Sequence, residues 1–376
     1  MIALVYVHYV RLEYGLIDSI MWIWDPLVFD KIRAEAVQYS VWSVVLRYFA
    51  QIAVSIFFIL SAWGIAYGLL MKNAQPAPLP QFMHARLRKL APLYWIALFL
   101  MFIAAVAEHH DSLVKIIKIV VSFGLKAAFL HTFHPHAMFN YNSALWFFGS
   151  LMFLYLAFPL LYRATLARPY TTLLGSLALG YLCTVLIKVS PLNEWHPALA
   201  MGGFPLARIG DFAIGVFLAV HAQRCEQSGR RNPFERYAYP IGFAALAMGL
   251  LGFAYEWLHP FHAMGMGVFA VLVGARVFQT LKRAPRVVGL ATTAVAFVGV
   301  YSYSMFLFHM PLIRPWLEYV SDREHIFWFG TLFLVTMFFL FYGIEKLANR
   351  YLVPHLQRLI DRVFGLIFRS AGGRTG

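Results

Sequence analysis

Residues 86–107 read Arg-Leu-Arg-Lys-Leu-Ala-Pro-Leu-Tyr-Trp-Ile-Ala-Leu-Phe-Leu-Met-Phe-Ile-Ala-Ala-Val-Ala: three cations, then an unbroken apolar run. A helix needs roughly 20 apolar residues, rising 1.5 Å each, to cross about 30 Å of hydrocarbon. The segment 91–107 with its flank meets that length, and lysine and arginine accumulate on the cytoplasmic side of such spans. This stretch therefore reads as one membrane crossing entered from the cytoplasm.

The same pattern recurs outward from it. Apolar runs near 1–16, 49–71, 144–162, 172–188, 204–221, 238–256, 264–281, 292–313 and 326–346 bring the expected number of spans to ten. The first is short, because Met1 to Val10 covers only about 15 Å as a helix before Arg11 and Glu13. Either residues 12–16 complete it or the chain begins upstream. A further apolar stretch, 115–131, is interrupted by Lys115, Lys118 and Lys126 and reads as an interfacial or re-entrant helix. With the N-terminus inside, nineteen of the 31 basic residues fall in cytoplasmic loops or the tail, whereas twelve of the seventeen acids fall outside. An eleventh span at 115–131 would invert everything after it and destroy that asymmetry. The fold expected is all-α, a polytopic membrane helical bundle of about ten transmembrane helices with both termini cytoplasmic.

Composition agrees. Of 376 residues, 61% are hydrophobic and 13% charged, against about a quarter charged in soluble domains. A mean hydropathy of +0.67 excludes a soluble protein with a single anchor. Two cysteines exclude a disulfide framework or a cysteine-ligated cluster. The net charge of +14 would suggest nucleic acid in a soluble chain, but here it marks cytoplasmic loops, so no nucleic-acid partner is expected. Two regions are expected, a membrane domain over 1–348 and a basic tail over 349–376. In the tail, Leu356, Leu359, Ile360, Val363, Phe364 and Ile367 recur at three- and four-residue spacing between Arg358, Asp361, Arg362 and Arg369. That is the pattern of an amphipathic helix on the cytoplasmic leaflet.

Ionisable groups at membrane depth cost about 2.5–3.5 kcal/mol on insertion scales and usually face a cavity or a partner. His8 and His309 are candidates for proton transfer, since imidazole changes charge near neutral pH; each also suits a packed, hydrogen-bonded histidine. Arg208 and Asp211, three apart on one face, suit an ion pair, or a polar cavity in which Arg208 holds an acceptor. Arg86, Arg88 and Lys89 suit either a lipid-binding flank or a phosphate clamp, because guanidinium forks match phosphate oxygens. The outer loops hold many histidines, His134 and His136 among them, but no accompanying carboxylate or helical i, i+4 pair, so no metal is expected.

Six segments carry a further reading. They are Phe57-Phe58-Ile59-Leu60-Ser61-Ala62; the basic run ending Ala91-Pro92-Leu93-Tyr94-Trp95; Leu145-Trp146-Phe147-Phe148 through Tyr155-Leu156-Ala157-Phe158-Pro159; Arg208-Ile209-Gly210-Asp211-Phe212-Ala213-Ile214-Gly215; Ser302 through Pro311, with His309; and Tyr342-Gly343-Ile344-Glu345. In this order the set resembles the integral-membrane acyltransferase family 3, with its FFxxSG, RxxR-PLYW, LWxLxxExxFYLxFP, RxxxFxxG and SYSxYLxHxP segments. The resemblance implies ten-helix enzymes that move an acyl group, often acetyl, from cytoplasmic acyl-CoA to a hydroxyl or amine on glycans, lipids or antibiotics. It implies His8 as the base on the acceptor hydroxyl, with Arg86 and Lys89, beside Arg88, against the CoA phosphates. His309 is expected to join the catalytic set, and Arg208, Asp211, Trp146, Tyr155 and Ser61 are expected to line the substrate cavity.

Three departures stand out. The family's arginine ahead of the histidine would fall upstream of Met1, its LWxLxxE carboxylate falls on Leu151, and its FFxxSG glycine is Ala62. The function expected is transfer of an acyl group, acetyl in the first instance, to a hydroxyl of an exported glycan or glycolipid. Such an enzyme would sit as a multi-pass protein in a bacterial inner membrane, with lipid, acyl-CoA and acceptor as partners. The alternatives are a transporter or flippase for a polysaccharide precursor and a histidine-ligated metal or haem protein.

Overall fold

The computed structural model describes residues 52–139, 142–196, 199–281, 301–308 and 326–372, together with 289, 293 and 299. The span expected at 1–16 and most of that at 292–313, and with them His8 and His309, lie outside the described residues. Within them the long elements are helices and no strand occurs: α1 (Ile52–Met71), α2 (Leu79–Glu108), α3 (Leu113–Ala127), α4 (Trp146–Ala167), α5 (Pro169–Val189), α6 (Ile209–Gln227), α7 (Ala238–Ala254), α8 (Pro260–Leu281), α9 (Ile326–Tyr351) and α10 (Val353–Gly372). Six of the described helices are long and apolar enough to cross a membrane: α1, α2, α4, α5, α8, and α6 with the preceding turn Pro205–Arg208. They leave large apolar side chains such as Leu160, Leu174 and Leu186 more than half exposed, as suits helices that face lipid.

α2 departs from expectation at its start. It begins at Leu79, so the cations of 86–89 lie within the helix and Pro92 is interior. An interior proline has no N–H for the carbonyl four residues back, here that of Arg88. α3, at 15 residues, rises only about 22 Å and is too short to span. Its far end is tied into the bundle: the Tyr94 hydroxyl donates to Lys126 O at 2.9 Å, and Trp95 Nε1 donates to Ala127 O at 3.1 Å. The stretch 115–131, expected as an interfacial or re-entrant helix, is thus tied to the middle of α2, and Lys126, His131, Thr132 and Asn142 are buried.

α1 and α6 pack at backbone distance. A Cβ at Gly215 would fall on Ile59 O and come within 2.9 Å of the Ala62 methyl. This explains how alanine is accommodated at 62, because the facing residue has no side chain. Gly215→Ala is expected to cost about 1–3 kcal/mol through overpacking, seen as a lower melting temperature in detergent. Adding Ala62→Gly should restore only part of it, since Ile59 O remains in the way.

Candidate active site

Four of the quoted segments meet in one aromatic core. Phe58 and Phe147 ring centroids are 4.7 Å apart, Phe147 and Phe306 5.5 Å, Phe148 and Tyr303 5.5 Å, and Tyr94 and Phe148 5.1 Å. Residues adjoining His309 are held from three sides. Asn142 Nδ2 donates to Leu307 O at 2.9 Å, Tyr303 Oη donates to Leu90 O at 2.6 Å, and Ser304 Oγ donates to Glu345. Glu345, in the last two turns of α9, therefore has a structural partner. Asn142 carried no sequence signal beyond its place just before Leu145-Trp146.

Beside this core, Ser61 Oγ and Tyr155 Oη share a hydrogen bond of 2.7 Å, so two expected cavity residues come together. Trp146 does not join them, lying nine residues earlier on α4, about 13 Å along the axis. Arg86 turns toward the pair. Its guanidinium lies 5.5 Å over the Phe82 ring, Phe82 meets Tyr155 edge-on at 6.4 Å, and the Arg86 charge acts on Tyr155. Arg86 Nε is buried without a hydrogen-bond partner.

The three expected phosphate contacts therefore separate. Arg86 faces inward, whereas Arg88 and Lys89 are exposed. Arg88, with His84 one helical turn earlier, meets Asp361 of α10 at 3.1 Å and 2.8 Å. Neither His84 nor Asp361 was singled out by sequence, since nothing in a helical pattern reveals a contact 277 residues away.

Arg208 and Asp211 form the expected pair, Nη1 to Oδ2 at 3.5 Å, largely buried. Arg208 Nε also donates to Gly202 O at 3.0 Å. Gly202 holds φ +87, and a Cβ there would touch the guanidinium at 2.6 Å. Arg208 is thus engaged on two sides, favouring the structural reading over an acceptor clamp. His131 and His196 do similar work. His131 Nε2 donates to Leu145 O at 2.9 Å and His196 Nε2 to Thr132 O at 3.2 Å. Burial, followed by the charge of Lys126, pushes the His131 pKa down to about 3.

Lys126 is the group sequence reading missed. It is fully buried, its Nζ donates to Met138 O at 3.3 Å, and burial pushes its pKa down to about 7. Between that value and the ordinary 10.5 the unfolded chain binds the extra proton, so this residue makes stability rise with pH. Lys126→Met should therefore raise the melting temperature by a few degrees at pH 6. The gain should shrink toward pH 10, as read from paired melting curves.

The chain matches the acyltransferase domain family over residues 1–346. No curated protein and no solved structure matches it.

Proposed function

Because the chain belongs to the integral-membrane acyltransferase family 3, we propose that it moves an acyl group, acetyl in the first instance, from cytoplasmic acyl-CoA to a hydroxyl of an exported glycan or glycolipid. The observation that carries the donor side is Arg86, a guanidinium over the Phe82 ring, whose edge meets Tyr155, with its Nε buried and unpartnered. Such a group is suited to an anionic ligand entering from the cytoplasmic end of α2, and charge-assisted bonds to phosphate are the strong kind.

In the chemistry proposed, His8 accepts the proton of the acceptor hydroxyl as its oxygen attacks the thioester carbonyl. The carbon–sulfur bond then breaks, and the thiolate of CoA takes up a proton, with His309 the second group able to carry one. A bilayer-embedded site excludes water, which suppresses hydrolysis of the thioester. Arg86 fixes the donor, and such positioning contributes much of the rate in transfer reactions.

The test is transfer of radiolabel from acetyl-CoA into an envelope fraction by proteoliposomes containing the protein. Label in a glycan or glycolipid is the expected result. Export of an unmodified polysaccharide precursor without any acyl-CoA dependence would overturn the reading in favour of a transporter.

A further inference from the structure

We propose that His84 and Arg88 form a phosphate site at the cytoplasmic end of α2, occupied in this structure by the Asp361 carboxylate, so that the tail helix α10 is a latch displaced by the donor's phosphates. This rests on the acyl-CoA reading above and adds to it a regulated second anion site.

The latch is built from three contacts. Asp361 Oδ1 lies 2.8 Å from His84 Nε2 and 3.1 Å from Arg88 Nε, with Oδ2 at 3.3 Å from the same Nε. Gln357 Nε2, one turn earlier on α10, donates to Arg88 O at 3.2 Å, the carbonyl left without its helical partner by Pro92. The His84 ring packs against Phe364 with centroids 5.0 Å apart, and Ile360 between these contacts is buried. The tail thus reads both a charge pair and a backbone defect that only this turn of α2 offers.

The position of the carboxylate is informative. After Glu345 the chain holds Lys346, Arg350, Arg358, Arg362, Arg369 and Arg374 but a single acid, Asp361. A basic amphipathic helix gains attraction to an anionic leaflet from its cations, and an acid weakens that. The one acid sits on the cation pair of α2, where a carboxylate presents the same oxygen ligands to a guanidinium as a phosphate does. The contact is also easily exchanged, since Arg88 and Asp361 side chains are 49% and 40% exposed, and exposed ion pairs contribute little net stability. A donor with several phosphates has anions for both faces of α2: one for Arg86 inside, another for His84 and Arg88 at the rim.

The experiment titrates CoA into the full-length protein in phosphatidylcholine nanodiscs, comparing wild type with Asp361→Asn and Gln357→Ala. Each variant loosens the latch without removing a cation, and each is expected to bind CoA at least about fivefold more tightly, the lower end of typical coupling between linked sites. By reciprocity, CoA should speed tryptic cleavage after Arg362 in wild type. Binding by all three proteins with equal affinity would overturn the latch while leaving the donor reading intact. No CoA binding by any of them would overturn both. If adding phosphatidylglycerol freed the tail and CoA did not, the occupant would be a lipid phosphate, and the donor-displaced latch would be wrong.

Discussion

Arg86→Ala is expected to weaken acyl-CoA binding by about 2–4 kcal/mol, roughly 30- to 1,000-fold, the range for removing one partner of a buried charge pair. The magnitude follows from where the guanidinium lies. Arg86 is half-buried, with Nε out of water and without a hydrogen-bond partner, so a phosphate there would pair with a partly desolvated guanidinium. Arg88 lies at the rim, half exposed and already paired with Asp361, and its removal should change affinity far less. Arg86→Lys should recover only part of the loss, because an ammonium cannot present a planar fork. The free protein should respond in the opposite sense. Leaving Nε buried without a partner costs stability, so Arg86→Ala should melt no lower than wild type. Calorimetric CoA titration beside a melting curve checks both, and a variant that lost binding together with its fold would count against the assignment.

The spans were legible because the signal is local: length, hydropathy and flanking charge are all contained in each segment. α1, α4, α5 and α8 lie within a few residues of expectation. The start of α2 was less legible, because Pro92 can either start or kink a span, and proline is tolerated inside a membrane helix when a neighbour satisfies the freed carbonyl. That neighbour, Gln357, is 269 residues away. Lys126 was hidden for the same reason. Its charge marked α3 as interfacial, but its burial depends on Tyr94 and Trp95 gripping the carbonyls of 126 and 127. In the site, the family resemblance pointed to Ser61 and Tyr155 and the basic run to Arg86, but the split of the basic cluster into inward and outward members required the helix to begin at Leu79 and the tail to cover one side.

His8→Ala is expected to lower kcat about 10²- to 10⁴-fold, the usual contribution of a general base, while leaving CoA affinity unchanged. His8 lies outside the described residues, and the expectation rests on family membership together with what α4 presents. At the family's carboxylate position stands Leu151, 4% exposed within the aromatic core. α4 carries no acid on this turn or elsewhere. One turn further along the same face is Tyr155, whose hydroxyl is bonded to Ser61. A base must be deprotonated to accept the acceptor's proton, so the wild-type rate should climb with pH through an imidazole titration. The alanine variant should keep its residual rate without that climb. A small external imidazole should restore part of the activity if the lost group is a base, and none if His8 only packs. A pH–rate profile for the variant that kept the wild-type limb would transfer the role to another group, with His309 the next to replace.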